Sequence, residues 1–159
     1  MKKKTAQDRK LELEEIERKK IEDAARVREQ YKDSLRLKEE ERITNYINSL
    51  NTTKDKVIAI LSIVSGIPES EIQEDTIIYY EKKSELSFDW LDIIEVVMYL
   101  QKFLHIDFPD ALVQDIRDGK VYDHPKFKTV IDLIDICNLL QRLSKTGDFD
   151  TLLKIIREK

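Results

Sequence analysis

The stretch that decides the reading runs from Leu86 to Asp110, LSFDWLDIIEVVMYLQKFLHIDFPD. Asp89 is a helix-capping residue type, whose carboxylate accepts from the free N–H groups of a first turn. Leu91, Ile94, Val97, Met98 and Leu100 follow at helical spacing and are expected to point inward. That leaves Asp92 and Glu95 on the outer side. Ile106-Asp107-Phe108-Pro109-Asp110 ends the helix, because proline disfavours the α conformation in the residue before it.

Taken whole and without a gap, this run resembles the modification-site segment of acyl and peptidyl carrier proteins. In that family an Asp-Ser-Leu triplet opens the second helix, and its Ser carries a phosphopantetheine arm. Here the triplet reads Asp89-Trp90-Leu91, and Leu91, Asp92, Glu95, Val96, Val97, Met98, Leu100, Ile106, Pro109 and Asp110 fall on similar family positions. The resemblance covers about residues 53–140 and is strongest over 86–110. It implies an all-α fold, with a carrier-protein-like four-helix bundle over residues 51–159. It also implies that the acidic side of this helix docks basic patches on partner proteins. Phe88, Asp89, Trp90, Asp92 and Glu95 form the candidate partner-binding set.

Chemistry limits what this copy can inherit. Family members receive phosphopantetheine from coenzyme A on a serine hydroxyl, whereas the indole of Trp90 offers an N–H donor and no usable nucleophile. Attachment at position 90 is therefore ruled out, and no cofactor is expected. A working carrier modified at Ser87 or Ser84 is the alternative, but moving the site there breaks the match of every downstream residue. For the indole two placements stand open. It either folds into the cleft where the family shelters an acyl chain, the commoner fate of a large aromatic, or it stays exposed as a partner anchor.

Toward the N-terminus, Asn51-Thr52-Thr53 with Asp55 is a helix-start signal. Val57, Ile58, Ile60, Leu61, Ile63 and Val64 supply a wide apolar face, and Gly66 and Pro68 stop the helix. Gly66-Ile67-Pro68-Glu69-Ser70-Glu71-Ile72 again resembles carrier proteins, and that likeness implies burial of Ile67 and Ile72. Between Thr76 and Leu86 the chain is about five residues longer than the family pattern. With Ile78-Tyr79-Tyr80 and Lys82-Lys83, this insertion reads as a surface loop or a recognition loop.

Residues 1–50 precede the first glycine and proline and are rich in good helix formers. Glu14 with Arg18, Glu15 with Lys19, and Glu22 with Arg26 are spaced for ion pairs along an exposed helix. Leu13, Ile16, Ala24, Val27, Tyr31 and Leu35 hint at a heptad, but Lys20 interrupts it and Leu11, Ile21 and Leu37 fall off it. The stretch reads as a solvated single helix, a weak coiled coil or a partner-docking helix. Self-association through residues 1–50 would make the chain a structural coiled-coil subunit capped by a helical domain.

Toward the C-terminus, Ala111 to Arg117 is expected to be a short helix capped by Asp110, followed by a long loop through Gly119 and His124-Pro125. Thr129 to Leu143 is periodic through Val130, Leu133, Ile134, Cys137 and Leu140. After Thr146-Gly147-Asp148, Phe149, Leu152, Leu153 and Ile156 mark a short extra C-terminal helix.

Charge and composition narrow the classes further. Residues 1–45 carry a net +2 and residues 46–159 a net −6, and an acidic globular part lacks the clustered basic surface of a nucleic-acid reader. The opening MKKKTAQDRK has no apolar core behind it, unlike a signal peptide, and no apolar run is long enough for a transmembrane segment. The single cysteine, Cys137, makes a cytoplasmic, reducing setting the expected one. His105, His124 and Cys137 fit no zinc spacing, and there is no glycine-rich phosphate loop. The sequence therefore points to a non-catalytic protein without a metal site.

Overall fold

The helix α2 (Thr53–Ser65) packs against both α3 (Trp90–Leu104) and α5 (Val130–Leu143). A computed structural model describes residues 6–78, 86, 88–118 and 128–145. Among these residues the chain is all-helical, with α1 (Ala6–Ser49), α4 (Asp110–Arg117) and a single 3-10 turn (Glu69–Glu71) completing the order, and no strand forms. No helix among them is long and apolar enough to cross a membrane. The chain divides into two compact units, Met1–Asn45 and Tyr46–Lys159. Ser84, Ser87, Tyr79-Tyr80, Lys82-Lys83, the loop through Gly119 and Pro125, and the expected C-terminal helix lie outside the described residues.

The described part of the first unit is one helix laced with local ion pairs. Lys19 reaches Glu15 at 2.9 Å, as its spacing predicts, while Arg18 pairs with Glu22 and Arg26 with Asp23 at 3.0 Å. Arg42 closes on Glu39 at 2.7 Å. Such pairs run along the exposed helix without defining an apolar face, consistent with the sparse apolar residues of the sequence.

In the second unit each helix start has its own sequence cause. Thr52 caps α2, its hydroxyl accepting from the Asp55 N–H at 3.0 Å and donating to Asp55 Oδ2 at 2.6 Å. Gly66 ends α2 in the left-handed region at φ 73°, where its N–H donates to the Ser62 carbonyl. Thr129 precedes α5, and the Asp132 carboxylate accepts both the Thr129 N–H at 2.8 Å and its hydroxyl at 2.7 Å. The short helix α4 begins one residue earlier than the sequence suggests. Asp110 is its first helical residue and Pro109 its cap, so the aspartate acts on the helix dipole from inside the first turn.

The core is built from Val57, Ala59, Ile60 and Leu61 of α2, Leu100 of α3, Ile116 of α4 and Cys137 and Leu140 of α5, all buried. Ile47, read from sequence as part of the arm, is fully buried and belongs to the second unit. Ile72 is buried and Ile67 half-buried. Tyr46 donates from its hydroxyl to Glu69 Oε1 at 2.6 Å, and that bond to a carboxylate raises the pKa of the phenol. Lys56 donates from Nζ to the Phe103 carbonyl in the last turn of α3, a favourable place for a cation.

The segment after the 3-10 turn is not a surface insertion in its described part. Thr76 and Ile78 are buried, and Ile77 pairs with Thr129 in an isolated antiparallel bridge. Ile78 N–H donates to the Lys128 carbonyl, while Val130 and Ile131 donate to the carbonyls of Thr76 and Glu74 at 3.1 and 2.9 Å. On the other side, Phe88 N–H donates to the Ile78 carbonyl at 3.3 Å. One extended segment therefore holds the starts of both α3 and α5.

Candidate functional site

The mouth of α3 is set by a reciprocal cap. Asp89 Oδ1 accepts from the N–H groups of Leu91 at 2.8 Å and Asp92 at 3.0 Å, and Asp92 Oδ2 accepts from the Asp89 N–H at 2.9 Å. This capping box satisfies donors that an uncapped helix would leave to solvent. It also commits both carboxylates. Asp92, expected to be a docking charge, is half-buried and is first of all a structural acceptor. Asp89→Ala is expected to destabilise the second unit by about 1 kcal/mol. Chemical denaturation of the two proteins under one condition checks it, and equal midpoints would remove the cap from the account.

Leu86 and Phe88 point inward, at 6% and 2% exposure, and Trp90 points out at 46%. Phe88, expected in the partner-binding set, is instead a core residue. Trp90 does not fill a cleft: the placement favoured by general experience with large aromatics does not hold here.

The helix register also differs from the expected one. Ile93, Val96, Val97, Leu100, Phe103 and Leu104 face the core, whereas Leu91 is 55% exposed, Met98 65% exposed and Ile94 half-buried. Eleven of the fifteen residues of α3 are apolar, so helical periodicity admits more than one inward face. Contact with α2 settles the choice. The outward side is consequently an apolar strip rather than an acidic one. Trp90, Ile94 and Met98 follow one another at four-residue intervals, with Leu91 beside them, over about 12 Å of helix. Glu95 is the exposed carboxylate on this side, and Lys102 marks the far end with its ammonium 5.1 Å from the Phe103 ring centroid. Tyr99 stacks on Phe103 at 6.0 Å.

Of the five expected site residues, the structure thus brings Trp90 and Glu95 to the outward surface and gives Asp89 and Asp92 to the cap. Leu91 and Met98 are surface residues that the periodicity concealed. The signal for them was the excess of apolar residues on α3, more than one buried face requires.

An open groove of about 580 Å³ lies between Lys54, Ile58, Ile72, Gln73, Glu74 and Asp75. Lys54 and Glu74 pair across it, a hydrogen bond that raises the lysine pKa. Cys137 is fully buried, and desolvation pushes its thiol up to about 12, so it is not a nucleophile at neutral pH. Among the described residues no cluster of three His, Cys, Asp or Glu side chains is arranged to hold a metal ion. No protein-family model matches the chain, and no curated protein matches it either.

Proposed function

We propose that this chain is a non-catalytic interaction module of carrier-protein-like build, which docks a protein partner through the outward side of α3. The observation that carries this reading is the exposure of Trp90, Leu91 and Met98 on one side of a capped helix. An aromatic of this size, held at a fixed helix start with Leu91 and Met98 exposed on the same helix, has the makings of an interface anchor. Its position supports the family likeness as well. Trp90 is the first helical residue after the capping Asp89, where carrier proteins bear their modified serine. The side chain there has no nucleophile, so what remains is the surface. Glu95 at the edge of the strip favours a partner that brings a basic group beside its apolar contact.

The intact chain and its Leu91→Ser/Met98→Ser variant serve as paired baits in one extract. Both substituted side chains are exposed, so the variant keeps the wild-type unfolding midpoint to within about 0.5 kcal/mol. A specific set of proteins is expected to bind the intact chain and to fall by about tenfold or more, equivalent to roughly 1.4 kcal/mol, with the variant. Equal recovery on both baits rejects docking through this side. Incubation with coenzyme A and a promiscuous phosphopantetheinyl transferase is expected to leave the intact mass unchanged. An adduct would return the protein to the working carriers.

A further inference from the structure

The outward strip of α3 carries two opposite charges that its own helix cannot pair. Glu95 and Lys102 are exposed and seven residues apart, about 10.5 Å along the axis, and neither has an opposite charge three or four residues away. Leu91, Glu95, Met98 and Lys102 follow at intervals of four, three and four, so they share an arc of about 60° on one side of the helix. Glu95 and Lys102 line one edge of the strip. Leu91 and Met98 come next, and Trp90 and Gln101 line the opposite edge.

We infer that the outward side of α3 pairs antiparallel with the same side of a second copy, about a two-fold axis between Met98 and Tyr99. The inference rests on the docking reading above and gives that surface its partner. Glu95 lies three and a half residues before this axis and Lys102 three and a half after it. Each therefore comes level with the other on the second copy, and the pairing occurs twice by symmetry. Met98, the most exposed apolar side chain of the strip, lies half a residue from the axis, so the two copies of it meet at the centre. Leu91 and Trp90 come level with Ile106 and Asp107, in the exit turn where His105 and Asp107 are exposed. Charge also fixes the direction. An antiparallel two-fold turns each edge of the strip end for end onto the same edge of the other copy, which brings Glu95 and Lys102 together. A parallel pair sets this edge against the opposite one, whose Trp90 and Gln101 carry no charge. The basic group that Glu95 calls for beside an apolar contact is thus supplied by the chain itself. With only about 12 Å of helix in contact, the interface is small and the pairing weak.

The experiment uses the full chain, in sedimentation equilibrium over a concentration series that reaches the sub-millimolar range. It compares the intact chain, Glu95→Lys, Lys102→Glu and the double variant Glu95→Lys/Lys102→Glu. Both positions are exposed, and equal unfolding midpoints check that all four fold alike. The intact chain and the double variant are expected to approach twice the 18.8 kDa chain mass. Each single variant sets like charges together at both pairs and is expected to associate about tenfold more weakly. An equimolar mixture of the two single variants restores opposite charges at both pairs and is expected to recover the intact association. One mass for all four proteins, single or double, overturns the self-pairing, since association through residues 1–45 does not depend on these charges. A double variant or a mixture as weak as the single variants overturns it too. The docking reading is judged apart, by the Leu91→Ser/Met98→Ser bait. Partners lost from that bait alongside four equal masses keep the docking surface and reject the second copy as its occupant. Equal recovery on both baits alongside four equal masses rejects both.

Discussion

Phe88→Ala is expected to cost the second unit about 3–5 kcal/mol, while Trp90→Ala, two residues on, costs about 1 kcal/mol or less. The two residues are both aromatic and flank the same capping aspartate, yet their burial is opposite. The ring of Phe88 is among the largest fully buried side chains, and its removal leaves a cavity under the mouth of α3. A loss of that size is a large part of the 5–15 kcal/mol that holds an ordinary domain together. Trp90 is 46% exposed, and its truncation leaves no comparable hole. Denaturant titrations of the two variants and the wild type decide the matter. If Trp90→Ala is as damaging as Phe88→Ala, the indole is a core residue and the docking surface on α3 disappears with it.

The second large effect is alkaline. Burial raises the Cys137 thiol from its ordinary 9.0 to about 12 in the folded protein, whereas in the unfolded chain it titrates at the ordinary value. Between those values the unfolded state releases a proton that the native state retains. Stability therefore falls as pH rises from about 9 toward 12, at up to about 1.4 kcal/mol per pH unit, and the contribution is fully present below pH 9. Lysines and tyrosines also titrate in this range, so the comparison is with Cys137→Ala, which keeps those groups and lacks the thiol. The wild type is expected to lose stability more steeply than the variant. Parallel pH dependences would show that the thiol is not shut off from water. In the same protein at pH 8, a thiol reagent is expected to react only after denaturant is added.

Much of the helical framework is legible in the sequence because its signals are local. Thr52 with Asp55, Asp89 with Asp92 and Thr129 with Asp132 each announce a helix start within four residues, and Gly66 announces a stop. What the sequence conceals is decided at a distance. Which side of α3 turns inward depends on its contact with α2, since Leu91 and Met98 are as apolar as Ile93 and Val96. That Phe88 goes in and Trp90 out depends on the bond from Phe88 to Ile78, and the burial of Ile78 depends in turn on residues 128–131. The apolar strip was hidden for the same reason: reading it required knowing which apolar residues the core leaves unused.

The extended segment at Thr76–Ile78 has a kinetic consequence. Its bonds to Lys128 and Val130 join positions about fifty residues apart, and the bond from Ile131 to Glu74 spans still more. Contacts of such separation must overcome the entropy of closing a long loop before they gain anything, so they form late in folding. Their amides are then released only when the whole unit opens, which places Ile78, Val130 and Ile131 among the slowest to exchange hydrogen with water. The arm is the opposite case, since each of its helical bonds spans only four residues. One chain thus combines a segment that can fray and re-form in microseconds with a unit that must be undone as a whole.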